Sequence, residues 1–388
     1  MNERKRVCVL VNSRANYGRI KSVLRAVKED PSLELQLIVG ASALLHRFGE
    51  VHKILEADGF SPCARVYSIV EGECPATMAK STGLAVMELS TQFETLQPDV
   101  VITVADRFET MATAVTASYM NIPLAHTQGG EVTGSIDESV RHAITKLAHI
   151  HFTATEQARD YVVRMGEDPA TVHCTGCPAI DILGDLDRSM PEDLFRRYRG
   201  VGPDLDPGKP YLVVLQHPVT TEYGQGSHQI NETLKAVASI GMQTVWLWPN
   251  VDAGSDEVSK ALRVFREKEK PDYIHFYRNF GVEDYARLID NCSCLVGNSS
   301  SGLREGSFLG VPTVNIGTRQ KGREHGENVV HVGYAEKEIR KAVDAQLDHG
   351  KYRSSHLFGD GKAGRRIARL LAETDIRIQK SLYYGRES

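Results

Sequence analysis

No apolar run in this 388-residue chain approaches the roughly 20 residues that a bilayer-spanning helix needs, so a membrane protein of that kind is not expected. Positive charge is not in surplus either: 46 Lys and Arg stand against 50 Asp and Glu, a net charge of −4. That balance leaves no basic footprint for nucleic acid and no polybasic patch for a membrane surface. The opening Met1–Arg6 leads only into the short apolar run Val7–Val11, which is too brief for a secretory signal. Seven cysteines, an odd number scattered along the chain, form no disulfide framework and suit free thiols in a cytoplasmic setting. Cys174-Thr175-Gly176-Cys177 has CxxC spacing but lacks a second pair or histidines at ligand spacing, so it reads as a strand end followed by a turn. There is no G-x-G-x-x-G, which removes the usual dinucleotide fingerprint, and no fixed-period repeat or low-complexity tract.

What is present is an ordinary globular composition in a chain too long for one core, so two domains are expected. Short β-branched runs alternate with amphipathic helices. Strands are expected at Arg6–Val11, Leu33–Val39, Val100–Val104, Ile122–Ala125, Phe152–Ala154 and Val172–Cys174, with helices at Ile20–Lys28, Met78–Leu96, Phe108–Met120 and Glu138–Leu147. Asp185–Lys209 breaks the rhythm, and its turn-rich second half from Gly200 reads as a linker. The β-α alternation then restarts. Strands are expected at Tyr211–Leu215, Thr244–Leu247, Tyr273–Phe276, Cys294–Gly297 and Thr313–Asn315, with helices at His228–Ile240, Ser255–Glu269, Val282–Asp290 and Gly302–Phe308. The fold class is therefore α/β, with two Rossmann-like domains facing a cleft: residues 1–185, residues 186–361, and a last helix near Lys362–Lys380, within 362–388, that returns to the first domain.

In open α/β sheets ligands sit beyond the carboxyl ends of the strands. The first half ends its strands in chemistry. Asn12 to Gly18, with Arg14, follows the first strand; a loop entering a helix aims backbone N–H groups at an anion. Asp106-Arg107 follows Val100–Val104, and His126-Thr127-Gln128-Gly129-Gly130-Glu131 follows the next strand. Asp137 then opens a helix carrying Arg141 and His142. Asp106 and Asp137 could be mere N-terminal caps. Several carboxylates at neighbouring ends of a parallel sheet favour a site over separate caps.

The second half repeats the pattern with different groups. Gln216-His217-Pro218, Gly297-Asn298-Ser299-Ser300-Ser301-Gly302 and Gly317-Thr318-Arg319 each close a strand. Small residues, hydroxyls and an arginine suit a phosphate. Glu305 would repel that phosphate and fits a ribose diol better. A nucleotide on the second half and a sugar facing carboxylates on the first half is the arrangement of the B-type glycosyltransferase architecture.

These stretches, in this order and spanning nearly the whole chain, resemble the UDP-N-acetylglucosamine 2-epimerase family, in particular its hydrolysing branch, which begins sialic acid synthesis. The resemblance implies that Asp106 and Asp137 fall on the acid/base positions. It implies that Arg14, Gly18, Arg107, His217, Ser299, Ser300, Ser301, Glu305 and Arg319 hold the substrate, with His126, His149 and His151 as histidines of the sialic-acid type. One departure concerns the position two after His126. Many members carry a catalytic Glu there, and this chain has Gln128, which cannot exchange a proton. Glu131 is the nearest ionisable substitute and is expected to be catalytic, leaving Gln128 to position the sugar.

The implied reaction removes the C2 proton as the C1–O bond breaks, gives a 2-acetamidoglycal, and adds water at C1 with a proton to the opposite face of C2. It needs no metal or redox cofactor. Two other readings remain open. One is a hydrolysing 2-epimerase for a UDP- or GDP-linked diacetamido-trideoxyhexose of legionaminic acid synthesis. The other is a glycosyltransferase, or a sensor without turnover, of the same architecture. The expected partner is the nucleotide sugar, in a cytoplasmic homo-oligomer (dimer or tetramer).

Overall fold

The computed structural model describes residues 4–48, 50–72, 74–184, 186–250 and 252–383. Among them, fourteen strands make two sheets of seven. The first holds β1 (Lys5–Val11), β2 (Leu33–Gly40), β3 (Ala64–Val66), β4 (Val100–Val104), β5 (Leu124–Thr127), β6 (Ile150–Thr153) and β7 (Val172–Cys174). Its order is β3-β2-β1-β4-β5-β6-β7, with every neighbouring pair parallel. The second holds β8 (Gly200–Val201), β9 (Leu212–Leu215), β10 (Thr244–Leu247), β11 (Ile274–Tyr277), β12 (Cys294–Gly297), β13 (Thr313–Ile316) and β14 (Val329–Val332). Its order is β14-β13-β12-β9-β10-β11-β8, parallel except for β8, which runs antiparallel to β11.

The central strands are β-branched and buried along their whole length because helices cover both faces; β4, Val-Val-Ile-Thr-Val, is an example. Each sheet reverses its order once, between β1 and β4 and between β9 and β12. At such a switch point the connections leave on opposite faces and open a crevice at the strand carboxyl ends. These two crevices place the site.

The helix Ala363–Glu373 packs on the first half, burying Ile367, Ala368 and Leu371 with Val23, Leu24 and Val27. Asp181 accepts from the amides of Ala363 and Gly364 at 2.9 and 2.6 Å, satisfying donors that a helix start leaves unpaired. Lys5 Nζ donates to the Leu371 and Thr374 carbonyls at the other end, both at 2.8 Å. The domain boundary expected at Asp185 falls outside the described residues.

Several expectations need correction. The strand expected at Ile122–Ala125 lies at Leu124–Thr127, because Asn121 takes a left-handed turn at φ 55° and the buried His126 and Thr127 stay in register with β4 and β6. The loop after β1 is helical over Arg14–Gly18, its start capped by Ser13 accepting from the Asn16 amide. The single helix expected at Gly302–Phe308 is two, Ser300–Leu303 and Glu305–Leu309, interrupted at Arg304, whose side chain is drawn to Glu131. In the expected linker, Gly200–Val201 adds a strand to the second sheet. The last helix stops at Glu373, well short of Lys380. Beyond it the chain bonds back to the first half, with Lys380 Nζ on the Lys146 and Ala148 carbonyls.

Candidate active site

The two crevices face each other and enclose one cavity of about 540 Å³, lined by both halves. That volume suits a ligand of nucleotide-sugar size. Of the residues singled out from the sequence, Arg14, Gly18, Asp106, Arg107, Asp137, His217, Ser299, Ser300, Ser301, Glu305 and Arg319 all line it.

On the first half, β1 delivers Arg14, whose Nη1 donates to Asn279 Oδ1 of the second half at 2.7 Å. After β4, Ala105 adopts φ 61°, a strained conformation for a residue with a Cβ, and Asp106 follows it into the cavity wall. Asp106 does not cap the next helix, whose cap position is Arg107. Its Oδ2 pairs with the buried Arg141 and lies 3.8 Å from Arg323 Nη2. Arg107 bridges Glu109 at 3.1 Å and Asp252 at 2.7 Å. Asp137 is the first residue of its helix, and its Oδ2 lies 4.0 Å from Arg319 Nη2. Burial, then the nearby Asp252, push its carboxyl above the usual aspartate range. A carboxyl raised in this way is suited to exchanging protons nearer neutral pH.

On the second half, Gly297 has φ 134°, and a Cβ there would meet the Leu215 carbonyl oxygen at 2.1 Å; only glycine lets β12 end this close to β9. Asn298 Oδ1 accepts from the His217 amide at 2.7 Å, and its Nδ2 donates to the His217 carbonyl at 2.8 Å, tying the two strand ends together. The His217 ring accepts the Asn250 amide on Nδ1 at 3.1 Å, which assigns the proton to Nε2. Burial and then Arg319 hold that ring neutral. Ser300 Oγ accepts from Arg19 Nη2 at 2.6 Å. Arg319 Nη1 donates to the Asn298 carbonyl at 3.3 Å. Glu305 is raised by burial, and its Oε2 has no hydrogen-bond partner.

Five expected residues do not line the cavity: His149, whose Nε2 lies 3.0 Å from the Ile378 carbonyl, His151, whose Nε2 lies 3.1 Å from Glu167 Oε2, and His126, Gln128 and Glu131. His126 is buried, with Nε2 at 2.8 Å from the Ala105 carbonyl and Nδ1 at 3.3 Å from Thr145 Oγ1. Burial brings its pKa down to about 3, so it acts as a neutral strut under the Ala105 turn. Gln128 is fully buried at φ 62°, and neither polar atom of its amide has a partner. Glu131 is buried between Arg304, to which it is closely paired, and Arg323 at 3.1 Å. Burial works to raise its pKa, but the two arginines overcome this and hold it below the usual range, which makes it a poor base.

The structure also adds residues. Arg19, Arg323 and Asn250 line the cavity, and Asp252 pairs with Arg107 and lies 3.8 Å from Arg319. Asn250 and Asp252 follow β10, another strand carboxyl end of the kind that pointed to His217. Arg19 directly follows Gly18, and Arg323 lies four residues after Arg319, so both extend stretches already singled out. Trp248, Pro249 and Phe280 give the second half flat apolar surface in the cavity. Cys174 and Cys177 are free thiols raised to about 11 by burial, with Gly176 at φ 86° between them, as in a turn. No helix among the described residues is long and apolar enough to cross a membrane.

A sequence model of the UDP-N-acetylglucosamine 2-epimerase family matches residues 25–372. The UDP-N,N'-diacetylbacillosamine 2-epimerase (hydrolyzing) of Legionella pneumophila is 30% identical over 375 residues, 97% of each chain. The UDP-N-acetylglucosamine 2-epimerase of Neisseria meningitidis serogroup B is 30% identical over 357 residues, 92% of this chain and 91% of that one. The solved structure of the Methanocaldococcus jannaschii UDP-GlcNAc 2-epimerase in complex with UDP-GlcNAc and UDP matches with a TM-score of 0.78 and 18% identity, over 95% of this chain and all of that one. At that identity the likeness is one of fold.

Proposed function

This chain belongs to the UDP-N-acetylglucosamine 2-epimerase family, and we propose that it is a hydrolysing member, converting UDP-N-acetylglucosamine and water to N-acetylmannosamine and UDP. One observation carries the reading: two carboxylates of the first half, Asp106 and Asp137, share one cavity with Arg319 and the serine loop of the second.

In this reading the diphosphate is held by Arg14, Arg19 and Arg319, by the hydroxyls and N–H groups of Ser299 and Ser300, and by the Nε2–H of His217. Glu305, with an unpartnered oxygen, takes the ribose diol. The nucleobase lies against Trp248, Pro249 and Phe280. One carboxylate accepts the C2 proton as the C1–O bond breaks and its electrons leave with UDP. The arginines stabilise the charge that develops on the leaving oxygen. Water then adds its oxygen to C1 of the 2-acetamidoglycal and gives up one proton to solvent, while the other carboxyl delivers a proton to the opposite face of C2; the two carboxyls return to their starting states by exchange with solvent. Asp137, raised by burial, is the proton donor, and Asp106, paired with Arg141, is the acceptor. Glu131 holds Arg304 and Arg323 in place and stays out of proton transfer.

A second reading keeps this chemistry and changes the sugar to a diacetamido-trideoxyhexose. It is favoured by the extent of the Legionella match and by Phe48, an apolar side chain on the cavity wall of the first half. Incubating the protein in D2O with UDP-N-acetylglucosamine and, separately, UDP-N,N'-diacetylbacillosamine, followed by NMR, tests both. Release of UDP with deuterium at C2 of the free epimerised sugar is expected, and the faster substrate identifies the sugar. UDP release without deuterium at C2 rejects the elimination route.

A further inference from the structure

We infer that Gly134 is a positioning residue, through which the loop of the second half that grips the nucleotide sets Asp137 in place. This rests on the functional reading above.

Glu131–Ile136, the second part of the connection from β5 to the Asp137 helix, has no helix or strand structure of its own. Arg141 of the following helix holds its start, with Nη1 donating to the Glu131 carbonyl at 2.6 Å, and its anchors from outside the first half come from the second. At its start, Glu131 is paired with Arg304 and Arg323. In its middle, the Gly134 amide donates to the Arg319 carbonyl at 3.1 Å, and Thr221 Oγ1 lies 3.5 Å from the Gly134 carbonyl. A Cβ on Gly134 would lie 1.9 Å from the Thr318 carbonyl oxygen, so the two backbones touch. The backbone of Gly134 is not in the left-handed region, so this contact, and no turn geometry, is what requires glycine.

The segment transmits that contact to the helix. Ser135 Oγ accepts from the Asp137 amide at 3.3 Å, and Glu138 Oε2 accepts from the Thr133 amide at 2.6 Å. The partner turn is itself braced. Gly317 donates to the Val332 carbonyl at 2.9 Å, Thr318 Oγ1 bonds Glu222, and Glu222 accepts from Tyr334 OH at 2.8 Å. Arg319 thus has two roles. Its guanidinium faces the cavity, and its carbonyl holds the approach to Asp137. Nucleotide bound by the first orders the second, so the carboxyl is in register when a substrate is present.

The test uses the full chain. UDP titration by calorimetry counts sites, and turnover of the nucleotide sugar is expressed per site. Gly134→Ala must part the two backbones, and because the 318 turn is braced the 131–137 segment gives way; turnover per site is expected to fall about a hundredfold, with UDP affinity within about threefold of wild type. Turnover within about twofold of wild type, or a parallel loss of UDP affinity and turnover, overturns the inference. Thr318→Val, which only frees the turn from Glu222, is expected to show the same split more weakly and carries the test if Gly134→Ala does not fold; unchanged turnover then overturns it. Hydrogen–deuterium exchange gives a readout that needs no turnover. UDP is expected to slow exchange in residues 131–137 of the wild type, and no slowing overturns the inference. A wild type that binds UDP and shows this protection, yet turns over no nucleotide sugar, rejects the functional reading alone.

Discussion

Asp137 of the first half lies 4.0 Å from the guanidinium of Arg319 of the second, across the cavity that both line. Neither is fully neutralised by the other. Arg319 also faces Asp252 at 3.8 Å, and Asp252 raises Asp137. Asp252 also takes Arg107 at 2.7 Å, which leaves Asp137 the less closely paired acid and the one ready to hold a proton.

That arrangement has a pH signature. Because burial and Asp252 raise the Asp137 carboxyl, the folded chain binds its proton more tightly than the unfolded chain does. Stability is therefore lost as pH rises from the ordinary aspartate value through the raised one. Asp137→Asn removes this penalty. At pH 7 the variant should melt at or above the wild-type temperature, with the gap closing toward about pH 4. Its turnover should fall about a hundredfold or more. Calorimetry across pH with turnover per UDP site checks both, and a clearly lower melting temperature at pH 7 rejects the shift.

Arg319→Ala should weaken UDP binding by about 2–4 kcal/mol, since a charge-assisted contact to the diphosphate is lost in a largely buried site. Ser300→Ala removes one neutral donor and should cost about 1 kcal/mol. Titration of UDP into each variant measures these directly, and an unchanged affinity for Arg319→Ala would take that residue out of the site.

Glu131→Gln separates structure from chemistry. The arginines hold Glu131 below the ordinary range, so it contributes stability above its unfolded pKa that is lost as pH falls through the folded value. Removing its charge leaves Arg304 and Arg323 buried without that partner, at a cost of about 3 kcal/mol. Turnover per folded molecule should stay within about tenfold of wild type. Melting curves and turnover on one preparation decide the matter: an undiminished melting temperature with turnover abolished would make Glu131 a proton carrier.

The alternation of strand and helix was legible wherever a buried parallel strand left a short, largely apolar run. Val100–Val104, Thr244–Leu247 and Cys294–Gly297 lie where that pattern puts them. So was the list of groups at strand carboxyl ends, since a parallel sheet brings those ends together whatever the intervening helices do. Of the edge strands Val172–Cys174 was legible, whereas Ala64–Val66 and Gly200–Val201 were not: they are too short to show a period and exist because a neighbouring strand offers its backbone.

Chemistry at strand ends is thus determined by the local sequence, but its direction is not. Gln128 and Glu131 stand beside His126 in a polar stretch that reads as one site, yet none of the three lines the cavity. What turns them away is remote in the chain. Arg304 and Arg323, more than 170 residues later, offer Glu131 a paired burial that the cavity does not, and the Ala105 carbonyl claims His126. By itself the sequence determined two doubly wound sheets and the set of acids and arginines between them, because periodicity and strand ends are local. Only the tertiary structure decided which carboxylates keep a free face and which are consumed by arginines, because charge pairing in a buried cleft depends on distances between segments that no local pattern encodes.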